Sequence, residues 1–193
     1  MVQDWIDKKP TAHNWKAFFN SIIQMHDNEQ QEASSAAITK TVATNNNDRE
    51  EQWEEQLRLA LREGGLFLCD VNNDESLVSF DFDPPPQFDM IYSSLCLEVC
   101  KTVEHFKQTI KRLERLLKPG GLLLVNGVTN KSYYHVGNKI IYSLSISAKQ
   151  VSQAFEDAGI TDNLKFISKP RKPNLKCDDC EGLYTIFAFK PSK

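Results

Sequence analysis

The chain has 193 residues, of which 40% are hydrophobic and 25% are charged, a composition typical of a globular protein with its own core. Lysine and arginine number 23 against 26 aspartates and glutamates, and the resulting net charge of -3 argues against a nucleic-acid-binding protein. The length predicts a single domain over residues 1–193. No apolar run approaches the roughly 20 residues that span a bilayer, so we expect no membrane segment.

The first part of the chain predicts two helices separated by a polar segment. Residues 4–27 carry apolar side chains at helical spacing. Residues 28–48 are polar, lack aromatic side chains and predict a flexible insertion. Residues 48–63 predict a second helix, with Asp48 as its N-cap and Gly64 at its end. Four residues form the predicted buried stripe of this second helix: Trp53, Leu57, Ala60 and Leu61.

From residue 66 onwards, apolar strands alternate with helices, which predicts an α/β fold whose parallel sheet carries helices on both faces. The two helices are predicted at 103–117 and at 147–158, the latter capped by Ser147 and ended by Gly159. The last two strands, joined by a long loop with two prolines, predict a C-terminal antiparallel pair. The predicted strands are 66–71, 88–93, 122–126, 164–168 and 183–189.

Polar residues end three of these strands. Asp70, Ser94 and Asn126 each follow an apolar run. Parallel sheets bind ligands at the carboxyl ends of their strands. These residues are therefore candidates for a binding site.

Several segments resemble a known family. Residues 88–98 (FDMIYSSLCLE), followed by a helix and by residues 116–121 (LLKPGG), resemble the second half of a class I S-adenosylmethionine-dependent methyltransferase. Residues 132–137 (SYYHVG) and 177–184 (CDDCEGLY) are similar to the nicotinamide, phenylethanolamine and indolethylamine (thioether) N-methyltransferases, as is the opening 5–10 (WIDKKP). The resemblance implies a Rossmann-like sheet, S-adenosyl-L-methionine as cofactor, and methyl transfer to an amine or an aromatic nitrogen.

The same resemblance implies parts that this sequence lacks. Family members carry a further strand–helix–strand unit with a glycine-rich turn and an acidic strand end, whereas no glycine precedes Gly64 here. In the family those strands lie between the strands matching 66–71 and 88–93, so two apolar edges are expected to be unpaired. We therefore expect a sheet that lacks its first strands and an impaired activity, as in a partial product or a degenerate paralogue.

The resemblance assigns cofactor-binding roles to three residues. The Asp70 carboxylate would accept a hydrogen bond from the adenine amino group, the Val71 backbone would face the ring, and Ser94 would lie beside the cofactor. The alternative for Asp70 is a carboxylate that caps a loop.

Further residues match the family's substrate site. Leu95 would form a wall of the pocket, Tyr134 would stack on the substrate, and Ser143 would donate a hydrogen bond to it. Glu98 and Asp178 are the candidate catalytic carboxylates, because an anionic pair suits a protonated amine and can accept its proton. Glu98 also suits a helix N-terminus for reasons of charge alone, and both interpretations stay open.

Other interpretations concern partners and the five cysteines. A non-catalytic paralogue could bind a full-length relative through open sheet edges, although the family resemblance implies a monomer with a small-molecule amine or N-heteroaromatic substrate. The pair Cys177 and Cys180 forms a C-x-x-C motif, which suggests half a zinc site or a redox pair, but two free thiols are the simpler interpretation and we predict no metal. An odd cysteine count and the lack of a signal-peptide pattern predict a cytoplasmic protein with reduced thiols.

Overall fold

The computed structural model describes residues 2–9, 46–73, 77–78, 80, 84–171 and 179–192. The chain forms two compact units, Met1–Leu66 and Phe67–Lys193. Most of the predicted 4–27 helix and most of the polar 28–48 segment lie outside the described residues.

The first unit contains two described helices, α1 (Val2–Ile6) and α2 (Asn46–Gly64). Ile6 is buried and packs against Trp53 and Leu61 of α2, while its carbonyl accepts a hydrogen bond from Arg62 Nη2 at 2.7 Å. The predicted stripe is therefore correct at Trp53 and Leu61. It is wrong at Leu57 and Ala60, which are exposed.

The two ends of α2 test the predicted boundaries. The helix begins at Asn46, so Asp48 lies inside the first turn and the prediction that it is the N-cap is wrong. The helix ends at Gly64, as predicted. Gly65 follows with a φ of 80°, and its N–H donates to the carbonyl of Leu61 at 3.0 Å.

The second unit is built on a four-stranded sheet. Its strands are β1 (Phe88–Ser94), β2 (Leu117–Thr129), β5 (Asp162–Pro170) and β6 (Gly182–Phe189), in the order β1-β2-β6-β5. β1 and β2 are parallel, whereas β2–β6 and β6–β5 are antiparallel, which confirms the C-terminal antiparallel pair.

Two amphipathic helices cover one face of this sheet. They are α3 (Val103–Arg115) and α4 (Ala148–Asp157), which pack on each other and on β2 and β6. Phe106 and Ile110 of α3, Phe155 of α4, and Val125 and Ile186 of the sheet all belong to one buried cluster. Side chains on the opposite face include the partly exposed Met90, Tyr92, Ile167 and Leu183.

A short β-hairpin that the sequence analysis did not predict follows β2. It consists of β3 (Tyr133–Val136) and β4 (Lys139–Tyr142), which pair antiparallel around a two-residue turn. Gly137 adopts a φ of 58° in this turn, a conformation that glycine enters without steric cost.

The predicted strand at 66–71 does not form. Only Cys69 makes a bridge, with Val78, and Leu66, Phe67 and Leu68 are exposed. A strand needs a neighbour with matching N–H and C=O groups, and the backbone pairing of this run with described residues consists of the Cys69–Val78 bridge and the hydrogen bond from the Asp70 N–H to the Leu77 carbonyl at 3.0 Å. Asp70 therefore ends no strand; its carboxylate accepts a hydrogen bond from the N–H of Asn72 at 2.9 Å, as in a capped turn.

Candidate functional site

The chain turns sharply where β1 ends. Ser94 is in register with Asn126 of β2, and the next residue, Leu95, adopts a left-handed φ of 51° while its N–H donates to the Asn126 carbonyl at 2.9 Å. A 3-10 helix, Leu97–Val99, follows directly. This turn leaves the Leu95 side chain exposed and buries that of Glu98.

Glu98 is the main charged feature of this region. Its side chain is only 7% exposed, and its Oε1 accepts a hydrogen bond from the N–H of Val128 at 3.0 Å. Its backbone carbonyl accepts from the N–H of Leu144 at 2.7 Å, which fixes the residue from a second side. Oε2 is buried and has no hydrogen-bond partner among the described residues.

Burial raises the pKa of the Glu98 carboxyl above its usual range. The hydrogen bonds from the backbone N–H groups of Glu98 and Val128, and the nearby charge of Lys131, oppose this effect in part. Such a carboxylate is a stronger base than an exposed one, so it is suited to accept a proton from a bound ligand.

A tyrosine that the sequence analysis did not single out lies beside this carboxylate. Tyr184 of β6 is 2% exposed, stacks on Phe166 at 5.6 Å, and pairs in register with Gly127 of β2. A Cβ on Gly127 would lie 2.2 Å from Glu98 Oε1 and 2.5 Å from the Tyr184 hydroxyl. Only glycine fits at position 127. An isolated glycine within a strand was the one feature of the sequence that indicated a close approach of other groups to the backbone here.

Two cavities meet at the end of β1. One, of about 470 Å³, is lined mainly by apolar side chains and includes Val71, Ser94 and Cys96. The other, of about 300 Å³, includes Ser94, Leu95 and Lys169. The structure therefore brings four predicted residues, Val71, Ser94, Leu95 and Asn126, to cavities that share Ser94.

The remaining predicted residues lie elsewhere. Asp70, Tyr134 and Ser143 line neither cavity, and Glu98 lies buried beside the end of β1 without lining either of them. Tyr134 lies in β3 with the Lys131 ammonium 5.6 Å from its ring centroid, and the Ser143 N–H donates to the Ser132 carbonyl at 2.8 Å. Asp178 is outside the described residues.

Asp179, the residue after Asp178, forms hydrogen bonds with Ser132 at the start of the β3–β4 hairpin. The Asp179 carboxylate accepts hydrogen bonds from both the N–H, at 2.7 Å, and the hydroxyl of Ser132. These bonds lower the pKa of Asp179. Ser132 thus connects the segment before β6 to the base of the β3–β4 hairpin, which carries Tyr134.

The cysteines offer no metal centre within the described part of the chain. Cys69, Cys96 and Cys100 form no disulfide, and no group of three or more metal-ligating side chains is gathered among the residues described. Cys177, the first cysteine of the C-x-x-C motif, lies outside them. No helix in the described ranges is long and apolar enough to cross a membrane.

Comparison with known proteins decides the family. The model of the NNMT/PNMT/TEMT family matches residues 1–191. The chain belongs to this family. The predicted resemblance and the predicted α/β class are confirmed. The described part of the second unit differs from the prediction in that both helices pack on one face and only β1 and β2 are parallel.

Individual relatives in the family are distant in sequence. Human nicotinamide N-methyltransferase is 26% identical over all of this chain, and rat phenylethanolamine N-methyltransferase is 24% identical over 96% of it. Mouse indolethylamine N-methyltransferase is 27% identical over 82%. The chain spans only 64%, 59% and 52% of these relatives' own lengths, respectively.

The described residues suit one part of S-adenosylmethionine, the cofactor that the family implies. The apolar cavity at Val71 and Ser94 suits a flat, weakly polar ring such as adenine. No acidic side chain lines this cavity among the residues described, so nothing there would bind the ribose hydroxyls or the methionine ammonium. The fit is therefore to the adenine end.

Proposed function

We propose that this protein, as a member of its family, is an S-adenosylmethionine-dependent methyltransferase acting on the nitrogen of a small-molecule amine or N-heteroaromatic compound. The observation that carries the proposal is Glu98, a buried carboxylate with one unpaired oxygen at the carboxyl end of β1. A carboxylate in this state can orient an ammonium group and accept its proton.

We assign the roles of the site residues as follows. Val71 and Ser94 hold the adenine end of the cofactor in the apolar cavity, and Asp70 accepts from the adenine amino group through the carboxylate oxygen that does not cap the turn. The cofactor, when bound, supplies a methyl group activated on a sulfonium. Leu95 forms a wall of the substrate site. Tyr134 and Ser143, which line neither cavity in this structure, are assigned to the substrate by the family resemblance, as is Asp178 as a second carboxylate.

The protein's contribution to the reaction is mainly placement. Holding the acceptor nitrogen in line with the methyl group removes much of the entropic cost of bringing two molecules together. Glu98 then takes the proton that an ammonium substrate must lose before its lone pair can attack. A neutral aromatic nitrogen needs no such step, so Glu98 matters most for amines.

We also propose a monomeric, cytoplasmic enzyme that does not bind nucleic acid. The net charge of -3 gives no basic excess for phosphate contacts, and the odd cysteine count is typical of a protein that keeps its thiols reduced. Size-exclusion chromatography of the purified chain tests the oligomeric state.

Methyl transfer can be tested directly with the chain as it stands. The protein is incubated with S-adenosylmethionine labelled in its methyl group and, separately, with nicotinamide, phenylethanolamine or tryptamine, and products are identified by mass spectrometry. We expect labelled amine, and a rate that falls by roughly 10²-fold or more in Glu98→Gln.

Calorimetric titration with S-adenosylmethionine separates the possible failures. Binding without any methylated product would mean that the acceptor lies outside this panel or that the site is impaired. Absence of both binding and product would overturn the proposal and favour the non-catalytic paralogue.

A further inference from the structure

We infer that the Tyr184 hydroxyl donates a hydrogen bond to the Glu98 carboxylate across Gly127, directly or through one water molecule, and that Tyr184 is thus a positioning residue for Glu98. The hydrogen bond stands on geometry alone, whereas its importance for catalysis rests on the proposed function.

The space above Gly127 brings the two groups together. A single point, where a Cβ would stand, lies 2.2 Å from Glu98 Oε1 and 2.5 Å from the Tyr184 hydroxyl. Gly127 and Tyr184 are register partners on neighbouring strands, so strand pairing holds the ring at this position. The carboxylate and the phenol therefore face the same small volume.

Both groups need a partner. Glu98 Oε2 and the Tyr184 hydroxyl are buried, and neither has a hydrogen-bond partner among the described residues. Leaving a buried polar atom unsatisfied costs about 1–3 kcal/mol, and more for a charged group. A hydrogen bond from the phenol to the carboxylate, direct or through a water, gives the Tyr184 hydroxyl its partner, and Oε2 gains one where the phenol or the water reaches it.

The chemistry of the surroundings identifies the donor. An ionised carboxylate only accepts, whereas a phenol can donate. The other titratable groups that interact with Glu98 are Lys131, whose charge lowers the pKa of Glu98, and the thiols Cys96 and Cys100. Thiols are weak donors, and burial raises the pKa of both. The Tyr184 hydroxyl is therefore a better donor than either thiol. Burial raises the pKa of this phenol, and the charge of Glu98 raises it further.

The inference is tested by titrating Glu98 in Tyr184→Phe. A donor to a carboxylate stabilises its charged form, so removing the hydroxyl should raise the pKa of Glu98 by about one to two pH units. The protein is labelled with ¹³C at the glutamate carboxyl carbon and titrated by NMR, and the Glu98 signal is identified as the one missing from Glu98→Gln. Neither cofactor nor substrate is present, so this result is independent of whether the proposed function is correct.

Tyr142→Phe is the matched control, because Tyr142 is 81% exposed and lies in the separate β3–β4 hairpin. It should leave the Glu98 titration unchanged. An unchanged or lowered pKa of Glu98 in folded Tyr184→Phe would overturn the inference. Should that variant fail to fold, ultraviolet resonance Raman of the wild type and Glu98→Gln decides: the wild-type spectrum must contain one strongly donating tyrosine that the variant lacks.

Discussion

Glu98 occupies a position that would be more stable without a charge. It is 7% exposed, its Oε1 accepts from the Val128 N–H, and the further partner that we infer, Tyr184, is a neutral phenol that brings no opposite charge. The same isolation that costs stability gives the carboxylate its basicity. At the scale of the residue, a functional requirement and a folding requirement oppose each other.

The pH dependence of stability should reveal this opposition. Because burial raises the pKa of Glu98 in the folded state, the folded protein holds the proton more tightly than the unfolded chain does. The stability due to this group is therefore full below the unfolded value of about 4.3 and is lost as pH rises through the raised folded value. We expect denaturant unfolding of Glu98→Gln and the wild type to diverge from pH 4 to pH 8, with the variant gaining relative stability; parallel curves would contradict this.

Gly127 is the second residue whose identity is fixed by its neighbours. In Gly127→Ala the new methyl group would meet Glu98 and Tyr184, which are both buried and cannot swing into solvent. We expect a loss of about 1–3 kcal/mol in the free energy of unfolding, the usual cost of overpacking. Gly64→Ala is the control, because its Cβ meets nothing within 4 Å at the end of α2; a similar loss in both variants would remove the steric explanation.

At the scale of elements, α4 depends on local signals. Ser147 accepts a hydrogen bond from the Gln150 N–H while the Gln150 side chain accepts one from the Ser147 N–H, forming a complete capping box. At the other end, Gly159 takes a φ of 78° and closes the helix. These contacts fix both ends of the helix that covers β6.

Removing the cap should destabilise the protein. We expect Ser147→Ala to lower the free energy of unfolding by about 0.5–2 kcal/mol, because the Gln150 N–H at the helix start loses its side-chain acceptor. Ser152→Ala makes the same chemical change inside the same helix, where alanine is the better helix former, and should be neutral or slightly stabilising. Equal losses in the two variants would show that the cap contributes nothing.

Local signals also explain which elements the sequence predicts. The cap at Ser147 and the glycine at Gly159 lie within the segment itself, so α4 was predicted almost to the residue. The 66–71 strand failed because its pairing depends on distant residues. β2 is longer than predicted, since Phe88 of β1 pairs with Leu117 before the glycines that suggested a stop.

The site shows the same division between local and distant information. Ser94 and Leu95 were predicted from the strand end that carries them, and the structure places both beside cavities. Tyr184 was not predicted, because it lies in an apolar run and its approach to Glu98 depends on the register between β6 and β2. The β3–β4 hairpin could have been predicted from the Gly137-Asn138 pair, a two-residue turn signal.

At the scale of the second unit, one lysine connects segments that are far apart in the chain. Lys190 follows β6, and its ammonium donates to the carbonyls of Glu114 and Leu117 at 3.0 and 2.9 Å and pairs with the Glu114 carboxylate at 2.9 Å. These groups are the end of α3 and the start of β2. A positive charge at the carboxyl end of a helix is favourable, and this one is largely buried.

We expect Lys190→Met to lower the free energy of unfolding by about 1.5–3 kcal/mol, the range for a hydrogen-bonded charged group. Lys118→Met is the control, since Lys118 pairs with Asp89 at 2.9 Å on an exposed surface, where ion pairs contribute less than about 1 kcal/mol. Denaturant unfolding of both variants measures the difference, and a loss for Lys118→Met as large as that for Lys190→Met would contradict the expectation.

Leu95 has a consequence that reaches beyond folding. Its left-handed backbone would suit glycine, its bulky side chain is 62% exposed, and holding leucine in that conformation costs about 1–2 kcal/mol. The native fold gains little from this side chain, which is what we expect if Leu95 is the wall of the substrate site that we propose. A ligand that covers Leu95 would remove this apolar surface from water, and that burial would contribute to the free energy of binding at the end of β1.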